Sequence, residues 1–148
     1  MKPRTASWLL LVVMAVGCSD PVGPDEQAPR LLSDEATPGS FSAWLLRGSS
    51  EPIPDRSVEG GVGEIIFEGT IGTPYPCYNV QAVVDRTDAT IEFTIVATRR
   101  PTGCVSVLAA FGYRGTLGDL PPGPYVVLIN HTVGDHSYRV LETSVTVE

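Results

Sequence analysis

The stretch "TIEFTIVAT", residues 90–98, sets the apolar side chains Ile91, Phe93, Ile95 and Ala97 in alternation with Thr90, Glu92, Thr94 and Thr98. Side chains of a pleated strand point to opposite faces in turn, so this period of two describes a strand with one face buried. A helix would need its apolar residues three and four apart. The same alternation recurs on both sides. Ile65, Phe67 and Ile71 alternate with Glu64, Glu68 and Thr70, and Val80, Ala82 and Val84 alternate with Asn79, Gln81 and Asp85. Leu141, Val145 and Val147 oppose Glu142, Ser144 and Thr146. The adjacent Val140 and Leu141 break the phase and predict a bulge. No helical period runs through residues 59–148.

Two further segments, "CVSVLAAF" at 104–111 and "YVVLIN" at 125–130, are apolar in both phases and are expected as central strands. Turn residues tie the strands in order: "DRTD" at 85–88 and "RRPTG" at 99–103 are read as links between neighbours. Gly134-Asp135 fits a two-residue hairpin turn. The expected fold is all-β, a small antiparallel Ig-like sandwich of six to seven strands over residues 59–148.

Outward from this domain the composition changes. Residues 18–58 carry Pro21, Pro24, Pro29, Pro38, Pro52 and Pro54 among Asp, Glu, Ser and Gly, the composition of a flexible, disordered tether. Within it, "FSAWLLRG" at 41–48 concentrates Phe41, Trp44, Leu45 and Leu46. Its expected role is to dock on the domain as an extra strand, since an exposed Trp-Leu-Leu cluster promotes aggregation, and the alternative is an exposed anchor for a partner.

The first 17 residues form a third region: Lys2 and Arg4, then an unbroken apolar run from residue 8 to 16, then Gly17. A basic head, a short apolar middle and a small-residue exit describe a secretion signal. The run is too short to span a bilayer as a helix, which takes about 20 residues.

Ala15-Val16-Gly17-Cys18 resembles the lipobox of bacterial lipoproteins. The resemblance implies cleavage before Cys18, a diacylglycerol thioether on its sulfur and acylation, commonly with palmitate, of its freed amine. Two or three acyl chains anchor a protein stably where one does not. Ser19 after the anchor implies sorting to the outer membrane, since an Asp at that place would retain the protein at the inner one.

Removing residues 1–17 removes Lys2 and Arg4 from ten basic residues, leaving eight against 17 Asp and Glu, a formal charge of −9. An acidic chain of this kind excludes nucleic acid as a partner and leaves membrane contact to the lipid. Envelope protein or glycan is the partner class that remains.

"GDLPPGPY" at 118–125 resembles the LPPGxY loop of Ig-like and prealbumin-like modules in secreted bacterial proteins. The resemblance implies that Leu120 enters the core, Gly123 takes positive φ and Tyr125 opens a strand. It concerns fold and not activity.

Cys77 and Cys104 leave the cytoplasm with the signal, so they are expected to form a disulfide worth roughly 3–4 kcal/mol on the chain-entropy model. With Cys18 lipidated, no thiol nucleophile remains. His131 and His136, in "NHTVGDHSY", are the only imidazoles. If Gly134-Asp135 turns the hairpin, Val133 faces His136 and His131 faces Tyr138, which places both histidines on one face. A zinc site wants three or four ligands, so these are expected as two solvated histidines at a polar tip. Tyr75 and Tyr78, beside Pro74 and Pro76, are expected to pack around the disulfide. No catalytic set, metal or cofactor is expected. The reading is a lipid-anchored envelope module, with inhibition or support of an envelope enzyme such as a protease as the alternative.

Overall fold

The computed structural model describes residues 27–32, 37–46, 53–101 and 103–148. The signal segment and Cys18 lie outside the described residues. The described part is all-β, with nine strands: β1 (Gln27–Leu31), β2 (Gly39–Leu45), β3 (Ser57–Gly60), β4 (Ile65–Thr73), β5 (Tyr78–Thr87), β6 (Thr90–Arg99), β7 (Ala109–Leu117), β8 (Gly123–Val133) and β9 (His136–Val147).

One sheet has the order β1-β5-β6-β8-β9 and the other β2-β7-β4-β3. Their inner faces interdigitate as an Ig-like sandwich. The Phe67 ring from β4 stacks on Phe93 from β6 with centroids 4.1 Å apart. Phe67, Phe93, Ile91 and Ile95 are all fully buried, as the alternation around residue 90 requires. Gly115 on β7 makes room for this stack, because a Cβ there would meet the Phe67 ring.

Three of the nine strands begin inside the segment expected to be a flexible tether. β2 pairs with β7 along its whole length, from Gly39 opposite Leu117 to Leu45 opposite Phe111. Its Phe41, Ala43 and Leu45 pack on the core. The "FSAWL" segment therefore docks, and the folded domain starts well before residue 59. β1 pairs with β5, and Leu32 just after it is fully buried. Pro29 hid this strand from a composition argument, because a short edge strand tolerates proline.

All strand pairs but one are antiparallel. β6 and β8 run parallel, from Thr90 opposite Val126 to Ala97 opposite Val133. The reason is that residues 100–108 do not join sheet neighbours, as "RRPTG" was read to do, but carry the chain across to β7 in the other sheet. β7 crosses back to β8, so β6 and β8 come to lie side by side in the same direction. The β5–β6 link is shorter than "DRTD" suggested. Both strands run up to Thr87 and Thr90, and the turn is Asp88-Ala89, with Asp88 at φ 53°.

Two local readings agree with the structure in detail. In the β8–β9 hairpin, Val133 faces His136 and His131 faces Tyr138, and Gly134 has φ 58°. Ile129 pairs with Leu141 and Asn130 with Arg139, so Val140 is the extra residue of a bulge. In the 118–125 loop Leu120 and Tyr125 are buried and Gly123 has φ 151°. The Tyr125 hydroxyl donates to the Pro121 carbonyl at 2.9 Å, the bond that ties such corners in Ig-type sandwiches.

Candidate functional site

The strand registers define two ends. β5 begins at Tyr78, just after Cys77, opposite Arg99 at the finish of β6. Because β8 is parallel to β6, the Gly134-Asp135 turn lies at this same end. At the other end lie the Asp88-Ala89 turn and the 118–123 loop, joined where Val126 N–H bonds to the Ala89 carbonyl at 2.9 Å. Gln27 pairs with Arg86, so the chain enters the sandwich there. The disulfide marks one end and the N-terminal strand the opposite one.

Cys77 and Cys104 are bonded, with Cα atoms 6.1 Å apart. The bond ties the loop before β5 to the crossover after β6. Further contacts fix the loops around it. Thr73 Oγ1 donates to the Tyr75 carbonyl at 2.6 Å, and Arg100 N–H donates to the Cys77 carbonyl at 3.0 Å.

The two arginines here are oriented by neutral partners. Arg100 Nε donates to Asn79 Oδ1 at 2.7 Å. The Arg99 guanidinium sits 5.1 Å from the centre of the Tyr75 ring, in cation–π range. Arg99, Arg100, Pro101 and Gly103 line a cleft of about 490 Å³. Tyr78 is buried in the core and Tyr75 packs against that core.

Beyond Cys104 the structure departs from the sequence reading. "CVSVLAAF" is not a central strand, since β7 starts only at Ala109. Val105, Val107 and Leu108 are 69%, 56% and 88% exposed. Beyond Thr73, β4 has no further residue to pair with this segment, so its apolar pattern is left facing water. By sequence pattern Arg99 and Arg100 are turn residues and no more. The available signal was two adjacent cations in a chain otherwise dominated by acids.

The two histidines share a face but not an environment. His136 is exposed at the hairpin tip. His131, expected to be solvated, is only 1% exposed. Its Nε2 lies 2.9 Å from the Tyr113 hydroxyl, which reaches it from the opposite sheet. Tyr138 stands edge-on against it, with centroids 5.7 Å apart. Burial pushes the His131 pKa down to about 4, with the Arg56 charge acting in the same direction. Burial pushes Tyr113 up to about 12. His131 is thus a neutral imidazole that satisfies a buried hydroxyl, not a ligand or a surface base.

Among the described residues no group of three or more His, Cys, Asp and Glu is placed to hold a metal ion. Asn130, which opens an Asn-His-Thr sequon, turns its amide onto Glu92 Oε1. The chain matches no family model, no curated protein and no solved structure.

Proposed function

We propose that this protein is a lipid-anchored module of the bacterial envelope that holds its cystine-stapled end away from the outer membrane as a binding surface, with no catalysis of its own. The observation that carries the reading is the register of β1, which brings the chain into the sandwich at the end opposite the disulfide. Gln27 lies nine positions beyond Cys18, a span of at most about 30 Å when fully extended. The anchored end then lies near the bilayer and the exposed segment 104–108 faces outward. His131 is engaged by Tyr113 and withdrawn from solvent, which leaves little for acid–base chemistry at this end.

Cell fractionation tests the anchor. The wild-type protein is expected in the outer-membrane fraction, and Cys18→Ala in the soluble fraction or as unprocessed precursor. Unchanged membrane retention of Cys18→Ala would sink the proposal.

A second reading, inhibition or support of an envelope enzyme, is favoured by one feature. The exposed segment after Cys104 is pinned by the disulfide, as a loop inserted into a partner's cleft would be. On that reading the purified protein lowers or raises the activity of an envelope protease, and Val107→Asp abolishes the effect.

A further inference from the structure

We infer that the cystine-stapled end docks an extended, acidic segment of a partner protein, with Arg99 and Arg100 taking its carboxylates and Val105, Val107 and Leu108 its apolar side chains. The inference deepens the proposed function by naming the partner class for that end. It does not depend on the lipid.

Charge is the first argument. The chain from Cys18 on carries −9, yet Arg99 and Arg100 stand side by side on one cleft. Among the described residues neither has a carboxylate within ion-pair distance, and the ion pair present is Arg139 with Glu142. Their orienting partners, Tyr75 and Asn79, are neutral. Among the described residues two guanidinium groups are therefore held in place with no carboxylate beside them, an arrangement that suits bidentate capture of a partner's carboxylates.

The aliphatic side chains separate a protein partner from an acidic glycan. Val105, Val107 and Leu108 form an exposed apolar run directly after the disulfide. A polyuronate would satisfy the arginines but would leave these side chains in water. A peptide that mixes acids with apolar residues covers both.

Backbone hydrogen bonding argues for an extended partner. Residues 104–108 belong to no strand, and apart from Val107 N–H to the Val105 carbonyl at 3.0 Å no backbone bond is described for them. Among the described residues their remaining N–H and C=O groups have no backbone partner, which suits pairing with an added strand. The disulfide at Cys104 and the start of β7 at Ala109 hold the segment at both ends, which lowers the ordering cost of docking.

The test uses the full chain in detergent, immobilised and panned against a random 12-residue peptide library. Enriched peptides are expected to combine Asp or Glu with Val, Leu, Ile or Phe. Titration calorimetry of the strongest peptide should show at least tenfold weaker binding to Arg99→Ser/Arg100→Ser and to Val107→Asp. Both variants alter exposed side chains, and unchanged thermal unfolding would show that they fold. Binding to the wild type should weaken as salt rises, and this dependence should be lost with the arginines. Failure to enrich any peptide, or enrichment without acids, would overturn the inference. So would affinity indifferent to the double serine variant, or polygalacturonate binding as tightly as the peptide. None of these results bears on membrane fractionation of Cys18→Ala, so the two proposals fail separately.

Discussion

The Tyr113 hydroxyl and His131 Nε2 lie 2.9 Å apart and join β7 of one sheet to β8 of the other inside the core. Gly69 on β4 makes the geometry possible, since a Cβ there would come within 2.5 Å of the Tyr113 oxygen. A polar pair buried this way stabilises the fold only while both members stay neutral and bonded.

Acid should weaken the fold through this pair. The unfolded chain binds a proton on His131 near pH 6.5, whereas the folded chain resists until about 4. Between those values the unfolded state holds more protons, so stability falls as pH drops through the window, by up to about 3 kcal/mol. Above pH 10 the sign reverses. Unfolded Tyr113 ionises there while the folded residue stays neutral to about 12, so stability falls again as pH rises. Urea midpoints from pH 4 to 11 should trace both limbs. His131→Leu should flatten the acid one, and an unchanged acid limb in that variant would assign the effect to the carboxylates.

Removing either member alone should cost about 1–3 kcal/mol, because the other is left buried without a partner. The double replacement Tyr113→Phe/His131→Leu should recover much of that loss. Urea unfolding of the two single variants and the double variant measures the coupling. Additive losses would mean that the bond contributes nothing of its own.

Glycine replacements on the sheet of β2, β7, β4 and β3 should divide by what each position faces. Gly115→Ala places a methyl group against the Phe67 ring and should cost about 1–3 kcal/mol. Gly72 has nothing within 4 Å of such a methyl group and ordinary backbone geometry. Gly72→Ala should therefore be neutral or slightly stabilising, by up to about 1 kcal/mol. Equal losses from the two in thermal unfolding would contradict the packing described.

Truncation should show that the fold begins well before residue 59. Deleting residues 18–46 strips β2 from β7 and uncovers the core beside Phe41 and Leu45. The shortened chain is expected to aggregate or to unfold well below the wild-type temperature. Deleting residues 18–26 alone should leave unfolding unchanged. A stable domain starting at residue 53 would return β2 to the tether.

Reduction of the disulfide should lower stability by about 2–4 kcal/mol, since 27 positions separate its cysteines. Cys77→Ser/Cys104→Ser should show a similar loss and faster amide exchange around residues 99–108. Non-reducing mass spectrometry of the native protein should find the pair linked, and alkylation of both thiols would exclude it.

Pattern along the chain determined the all-β class, the buried faces of β4, β5 and β6, the bulge at Val140 and the hairpin register at Gly134. All of these follow from local geometry: pleat period, phase and the few conformations open to a turn. Tertiary structure alone decided that β6 and β8 run parallel, because that depends on which sheet the crossover reaches. It also sent His131 inward while leaving Val105 and Leu108 outside. The hairpin fixed which residue faces His131, but its depth depends on Tyr113 arriving from the other sheet. The segment 104–108 looks buried by composition, yet its Val105, Val107 and Leu108 are exposed, since β4 ends at Thr73 opposite Ala109 and among the described residues no strand pairs with the segment. Burial is set by what the rest of the chain brings to a position, and a residue's own neighbours in sequence carry only part of that information.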